Sequence, residues 1–267
     1  MGTSSASAEL DQETEQFYRN SIRSLQEAEI PFLVGGAYAF CVYTGISRHT
    51  KDFDLFLRPS DVERAITHFR ADGFEAERTF PHWLAKAKCG DDCIDLIYRA
   101  GNGMCEVDDA WFQRARQEEV LGMRAALCAA EEIIWMKAYV MERERFDGAD
   151  VAHLIHACAE RLDWAHLVRR FNSHWRVLLV HLVLFGFIYP SDRNRIPASV
   201  LSDLLQRAHE ELSSTPDDRV CRGTLISRAQ YLIDVQERGY RDARLDSESR
   251  MNEADIAHWT AAIDQSE

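Results

Sequence analysis

Two periods of apolar and polar residues run along this chain, and the change from one to the other divides it. Over 12–28 apolar residues recur at helical spacing (Phe17, Ile22, Leu25), which predicts an opening helix. The apolar run at 31–34 reads as a short buried strand. A helix is expected over 36–43, stopping near Gly45, and a strand rich in Phe and Leu over 52–57. Ser60 and Glu63 fit an S-x-x-E capping box opening a helix that ends at Gly73. Further strands are expected over 74–80, 83–89 and 93–99, with a turn at Gly90-Asp91-Asp92 joining the last two.

From residue 130 the pattern becomes helical. One helix is expected over 131–143 and another over 150–161, followed by segments starting near Asp163, Ser173, Pro197 and Thr224. Residues 213–218 read as a loop and 241–252 as irregular, ahead of a short last helix containing Trp259. The predicted fold class is α+β: an α/β domain with a mixed sheet over 12–127, then an all-helical domain over 128–267.

Composition narrows the function. The 267 residues carry 44 Asp and Glu against 31 Lys and Arg, a net charge of −13. An acidic chain does not hold long nucleic acid by counterion release unless it hides a basic patch, which favours a small molecule or a protein as partner. The seven cysteines are scattered, odd in number and without a C-x-x-C pair, as in a reduced intracellular protein. Cys89 and Cys93 flank a turn and read as small apolar residues on a hairpin rather than half a zinc site. The first dozen residues lack the basic and apolar regions of a signal peptide and read as a disordered lead-in. The apolar stretch 177–189 falls short of the ~20 residues a membrane span needs and is expected to be a buried core helix. Together these features predict a cytoplasmic protein, with no membrane partner and no indication of oligomeric state.

The chemistry lies in acids embedded in apolar strands. Asp52 and Asp54 are two apart, so both carboxylates share one face, and Asp95 sits in the later strand CIDLIYR. Like charges in such strands need a neutralising partner, and a divalent cation is one. Gly35-Gly36, ahead of a helix, offers backbone N–H groups to phosphate oxygens. If the strands of Asp54 and Asp95 are neighbours, the three carboxylates converge.

Glycine pair, R-x-T-K-D-x-D and a later strand Asp, in that order, resemble the polymerase-β-like nucleotidyltransferase superfamily, in particular its minimal and toxin-like bacterial branch. The resemblance covers about residues 12–155. It implies that Asp52 and Asp54 bridge two Mg²⁺ ions (Mn²⁺ as a substitute). Asp95 would hold the ion that activates an acceptor hydroxyl and accept its proton. Gly35 and Gly36 would cradle the triphosphate of an NTP. A nucleoside monophosphate would pass to an unidentified acceptor with release of pyrophosphate. Many members carry Gly-Ser where this chain has Gly35-Gly36, while the toxin-like branch uses a glycine pair. Arg48, Thr50 and Lys137 are the further nucleotide-binding candidates. For Lys137 the alternative is a solvated helix lysine, and Lys51 should alternate away from the acids. Asp147 and Asp150 resemble an acidic pair of the toxin-like branch, though Asp150 also suits a helix N-cap. The competing readings are a catalytically inactive nucleotide-binding or interaction protein of the same fold, and a toxin-like modifier of tRNA or protein.

Other residues read as structural. His153 and His156 are expected as one core and one surface histidine. His82 and Trp83 either pack or line a base-stacking wall. The stripe from Val177 to Phe187 reads as core, and Gly101-Asn102-Gly103 as a turn.

Overall fold

The computed structural model describes residues 12–47, 50, 52–213 and 215–262. The chain divides into two compact units, with the division between Ala129 and Ala130. The lead-in and Arg48, His49 and Lys51 lie outside the described residues.

The first unit runs α1 (Gln12–Glu27), β1 (Leu33–Val34), α2 (Gly36–Thr44), β2 (Phe53–Phe56), α3 (Val62–Ala71), β3 (Glu75–Phe80), β4 (Leu84–Cys89), β5 (Asp92–Ile97), α4 (Asp109–Gln113), β6 (Arg116–Val120) and β7 (Met123–Leu127). Its seven strands form one mixed sheet in the order β3-β4-β5-β2-β1-β7-β6. The pairs β2–β5 and β1–β7 are parallel and the others antiparallel. β2 is therefore central, which suits its apolar Phe53, Leu55 and Phe56. One sheet face is packed by aromatics. Tyr18 of α1 stacks on Phe53 with ring centroids 4.7 Å apart, and Tyr38 of α2 meets Phe53 edge-on at 5.0 Å. On the opposite face Trp111 of α4 stacks on Phe56 at 5.3 Å.

Local chemistry explains most of the boundaries. Gly45 ends α2 in the left-handed conformation, φ 71°, and its N–H bonds the Cys41 carbonyl. Gly90, at φ 62°, opens the tight β4–β5 turn. The expected capping box does not form: α3 is preceded by Asp61 rather than Ser60, and no side chain caps it. Glu63 instead pairs with Arg78 at 3.3 Å, and Asp61 with Arg58 and Arg64.

The second unit contains α5 (Ala130–Lys137), α6 (Gly148–Cys158), α7 (Trp164–Phe171), α8 (Trp175–Ile188), α9 (Ala198–Glu210), β8 (Val220–Cys221), α10 (Leu232–Gln236), β9 (Arg241–Asp242) and α11 (Glu253–Ala261). It departs from the expected pattern in several places. The helix expected over 131–143 stops at Lys137, and the chain turns through a bridge between Met141 and Phe146. No long helix starts at Thr224; a 3₁₀ turn (Arg222–Leu225) precedes the short α10. Within the region read as irregular, Arg241 and Asp242 pair in parallel with Val220 and Cys221. There Asp242 accepts hydrogen bonds from the fully buried Arg244.

The span Trp164–Ile188 has the length and apolar composition to cross a membrane. In the fold it is α7, a 3₁₀ turn and α8, interrupted at Asn172 (φ 40°). It buries Leu167, Phe171, Leu178, Leu182 and Phe185. The expectation that 177–187 is entirely core needs correction, because Val180, Val183 and Phe187 are exposed. The helix buries one face only. His153 and His156 are both half-buried, not one core and one surface; His156 lies beside the Tyr189 ring and 4.0 Å from Asp192.

Candidate active site

Strand register assembles the site. Asp54 of β2 and Asp95 of β5 are direct partners in the parallel pair, so both side chains leave the same sheet face. On the other side of β5, Lys86 of β4 is the antiparallel partner of Asp95. Lys86, Asp95 and Asp54 thus form one row across three adjacent strands. Gly35 continues the row, its N–H bonding the Asp54 carbonyl at 3.0 Å.

The two ends of the row carry positive character. Lys86 Nζ lies 2.5 Å from Asp95 Oδ1. At the other end α2 begins at Gly36, and its N-terminal turn presents backbone N–H groups and the positive end of a helix dipole. Gly36 has φ +53°, and a Cβ placed there would stand 1.7 Å from Asp54 Oδ2. A Cβ on Gly35 would meet the Phe56 ring at 2.2 Å. The diglycine is therefore required by Asp54 and Phe56. A serine at position 36 would compete with the Asp54 carboxylate for the same space.

Asp52 stands exposed at the mouth of β2, just ahead of the strand. Its charge reaches Asp95, Lys86 and Cys93. Thr50 pins the backbone there: its hydroxyl donates to the Asp52 carbonyl at 3.0 Å and accepts from the Asp52 N–H at 3.3 Å. Arg48, the neighbouring candidate, lies outside the described residues.

Burial raises the Asp95 carboxyl above the ordinary carboxylate range against the pull of Lys86, and Asp52 adds to the rise. Burial works to lower Lys86, but its hydrogen bond to Asp95 and that residue's charge outweigh it, so the ammonium is held protonated. Burial also pushes the Cys93 thiol, whose Sγ is 3.8 Å from Asp95 Oδ1, up to about 11. It is therefore a neutral thiol at physiological pH.

The donor set has the chemistry of a hard-cation site. Mg²⁺ takes one or two carboxylates together with substrate phosphates and keeps several waters. Asp54 and Asp95 supply two adjacent carboxylates, Asp52 stands at their edge, and the Gly36 turn lies against Asp54. Among the described residues no three His, Cys, Asp or Glu side chains are drawn together closely enough to hold a metal ion by themselves. Asp52 is out in solvent, and Asp95 is engaged by Lys86.

Lys137 has different company from that expected. Its ammonium lies 2.9 Å from Asp147 and 2.7 Å from Asp150, both buried, and Arg145 also bonds Asp147. Asp147, not Asp150, occupies the position before α6; Asp150 lies inside the first turn, where its carboxylate meets Lys137. His82 is buried and bonds the Gly101 carbonyl at 2.9 Å, and Trp83 stacks on Phe80.

Lys86 escaped the sequence reading. The signal for it was present: a two-residue turn at Gly90-Asp91 between β4 and β5 sets a register that puts Lys86 opposite Asp95.

No protein-family model and no curated protein matches the sequence. Among solved structures the chain is similar to the antibiotic-resistance factor ANT(2'')-Ia, with TM-score 0.45 and 18% identity, over 64% of this chain and 98% of that one. It is similar to an antigenic nucleotidyltransferase-like protein from Paracoccidioides brasiliensis, with TM-score 0.44 and 17% identity, over 72% and 97%. It is also similar to the lincomycin-bound lincosamide antibiotic adenylyltransferase LnuA, with TM-score 0.38 and 13% identity, over 54% and 96%. These likenesses are distant.

Proposed function

We propose that this protein is a nucleotidyltransferase dependent on a divalent cation, Mg²⁺ by preference. It would move a nucleoside monophosphate from an NTP to an acceptor hydroxyl and release pyrophosphate. The observation that carries the reading is the pairing of Asp54 with Asp95 on adjacent central strands, with the N-terminal turn of α2 packed against Asp54.

Each residue then has a physical task. The backbone N–H groups at Gly36 and the first turn of α2 attract the triphosphate. Asp54, Asp95 and Asp52 would hold the cation, which when bound neutralises charge on the transferred phosphoryl group. Asp95, partly buried beside Asp54 in register, would accept the proton of the acceptor hydroxyl. The acceptor oxygen forms a bond to the α-phosphorus, and the bond from that phosphorus to the pyrophosphate oxygen breaks. Catalysis is then mainly positioning and charge neutralisation. The acidic chain favours a small molecule or a protein over nucleic acid as acceptor, in a cytoplasmic setting. Lys137 stays outside the proposed contacts because two buried aspartates already engage it.

The test is incubation of the protein with each of four α-labelled NTPs, Mg²⁺ and a cell lysate. Label transferred to an acceptor, with pyrophosphate released, is the expected result. Tight NTP binding with no transfer from any of the four would overturn the enzymatic reading.

A further inference from the structure

Lys86 has no part in the transfer scheme above, yet it is built into the row of acids. β4 lies inside the sheet between β3 and β5, and Ala85 and Ala87 are fully buried on its other face. The Lys86 backbone is therefore fixed, and only its four-carbon stem can move. Its ammonium is 2.5 Å from Asp95 Oδ1 and 4.0 Å from Cys93 Sγ, with the Lys86 and Asp95 side chains 25% and 13% exposed. It thus occupies one oxygen of the carboxylate that stands next to Asp54 in register.

We propose that Lys86 is a displaceable counter-cation: it holds Asp95 beside Asp54 until a divalent cation takes over that carboxylate oxygen, so that metal entry is an exchange of charges rather than a simple addition. The inference rests on the nucleotidyltransferase reading and goes beyond it by naming what the metal must compete with. Two cations cannot share one small oxygen without repelling each other, and in a partly buried setting that repulsion is weakly screened. Release leaves the ammonium within a side-chain length of the acids, where it remains part of the site's charge balance. Lys86 is thus a positioning residue, acting through Asp95.

The test is Mn²⁺ binding, followed by calorimetry on the full chain without nucleotide. Lys86→Met should bind Mn²⁺ at least about tenfold more tightly than wild type. Lys86→Arg should restore affinity close to wild type, and in an Asp95→Asn background Lys86→Met should change nothing. Circular dichroism checks that each variant is folded, and Lys86→Gln replaces the Met variant if that one is not. Unchanged or weaker Mn²⁺ binding by the folded, uncharged variant would overturn the counter-cation role. If wild type also binds Mn²⁺ and transfers label, nucleotidyl transfer would survive that result. No Mn²⁺ binding by any variant, even with an NTP present, would overturn both readings.

Discussion

Asp54 and Asp95 sit directly opposite each other on parallel strands, two carboxylates side by side at the centre of a sheet. Lys86 beside Asp95 and the N-terminal turn of α2 against Asp54 balance the pair, which is placed for chemistry. Asp54→Asn should therefore lower transfer by about a thousandfold while the fold is kept. Calorimetric unfolding beside an α-labelled NTP assay checks both. A variant that transfers normally would refute the role of Asp54, and one that fails to fold would trace the lost transfer to the fold instead.

Gly36 gives a paired prediction. Gly36→Ser places a Cβ against the Asp54 carboxylate at φ +53°, and Gly45→Ala places one in open space at φ +71°. Both pay the strain of a left-handed residue, about 1–2 kcal/mol. Only Gly36→Ser should also displace Asp54 and abolish transfer. Equal activity in the two variants would mean that the close approach has no catalytic consequence.

Lys137 separates a structural from a nucleotide-binding role. Lys137→Met removes the ammonium that Asp147 and Asp150 share, a loss of about 3 kcal/mol. Urea unfolding should show an earlier midpoint. An unchanged midpoint together with lost transfer would return this lysine to the nucleotide.

His181 sets an acid limit on the second unit. Burial holds its pKa below the ordinary value of 6.5, against a hydrogen bond from Nε2 to the Ala138 carbonyl at 2.9 Å. The folded value is depressed, so the stabilisation is complete above about pH 6.5. It is lost as pH falls through the folded value, because the unfolded chain takes up the proton first. His181→Gln keeps a donor near the Ala138 carbonyl and removes the titration. Its melting temperature should fall less than that of wild type between pH 7 and pH 5, and parallel curves would contradict the assignment.

Legibility in the sequence followed the physics of each element. Gly45, Gly90 and the apolar β2 were readable because their causes are local. β6 was not: its sequence RQEEV is an edge strand, charged and largely exposed, and lacks the alternation of a half-buried one. The early stop of α5 was also invisible, since the chain turns after Lys137 to a bridge between Met141 and Phe146, and Asp147 and Asp150 reach back to that lysine. Within the site, Asp52, Asp54 and Asp95 stood out as acids in apolar runs. That Asp54 faces Asp95 depends on which strands become neighbours, a tertiary outcome that spacing alone does not encode.

The row from Lys86 to Gly36 has one more consequence. A chain whose central acids are already balanced from within, by an ammonium on one flank and a helix end on the other, can finish folding before it meets any ion from its surroundings. Chelators should then switch the protein off without melting it, and readmitted ions should restart it with no refolding delay.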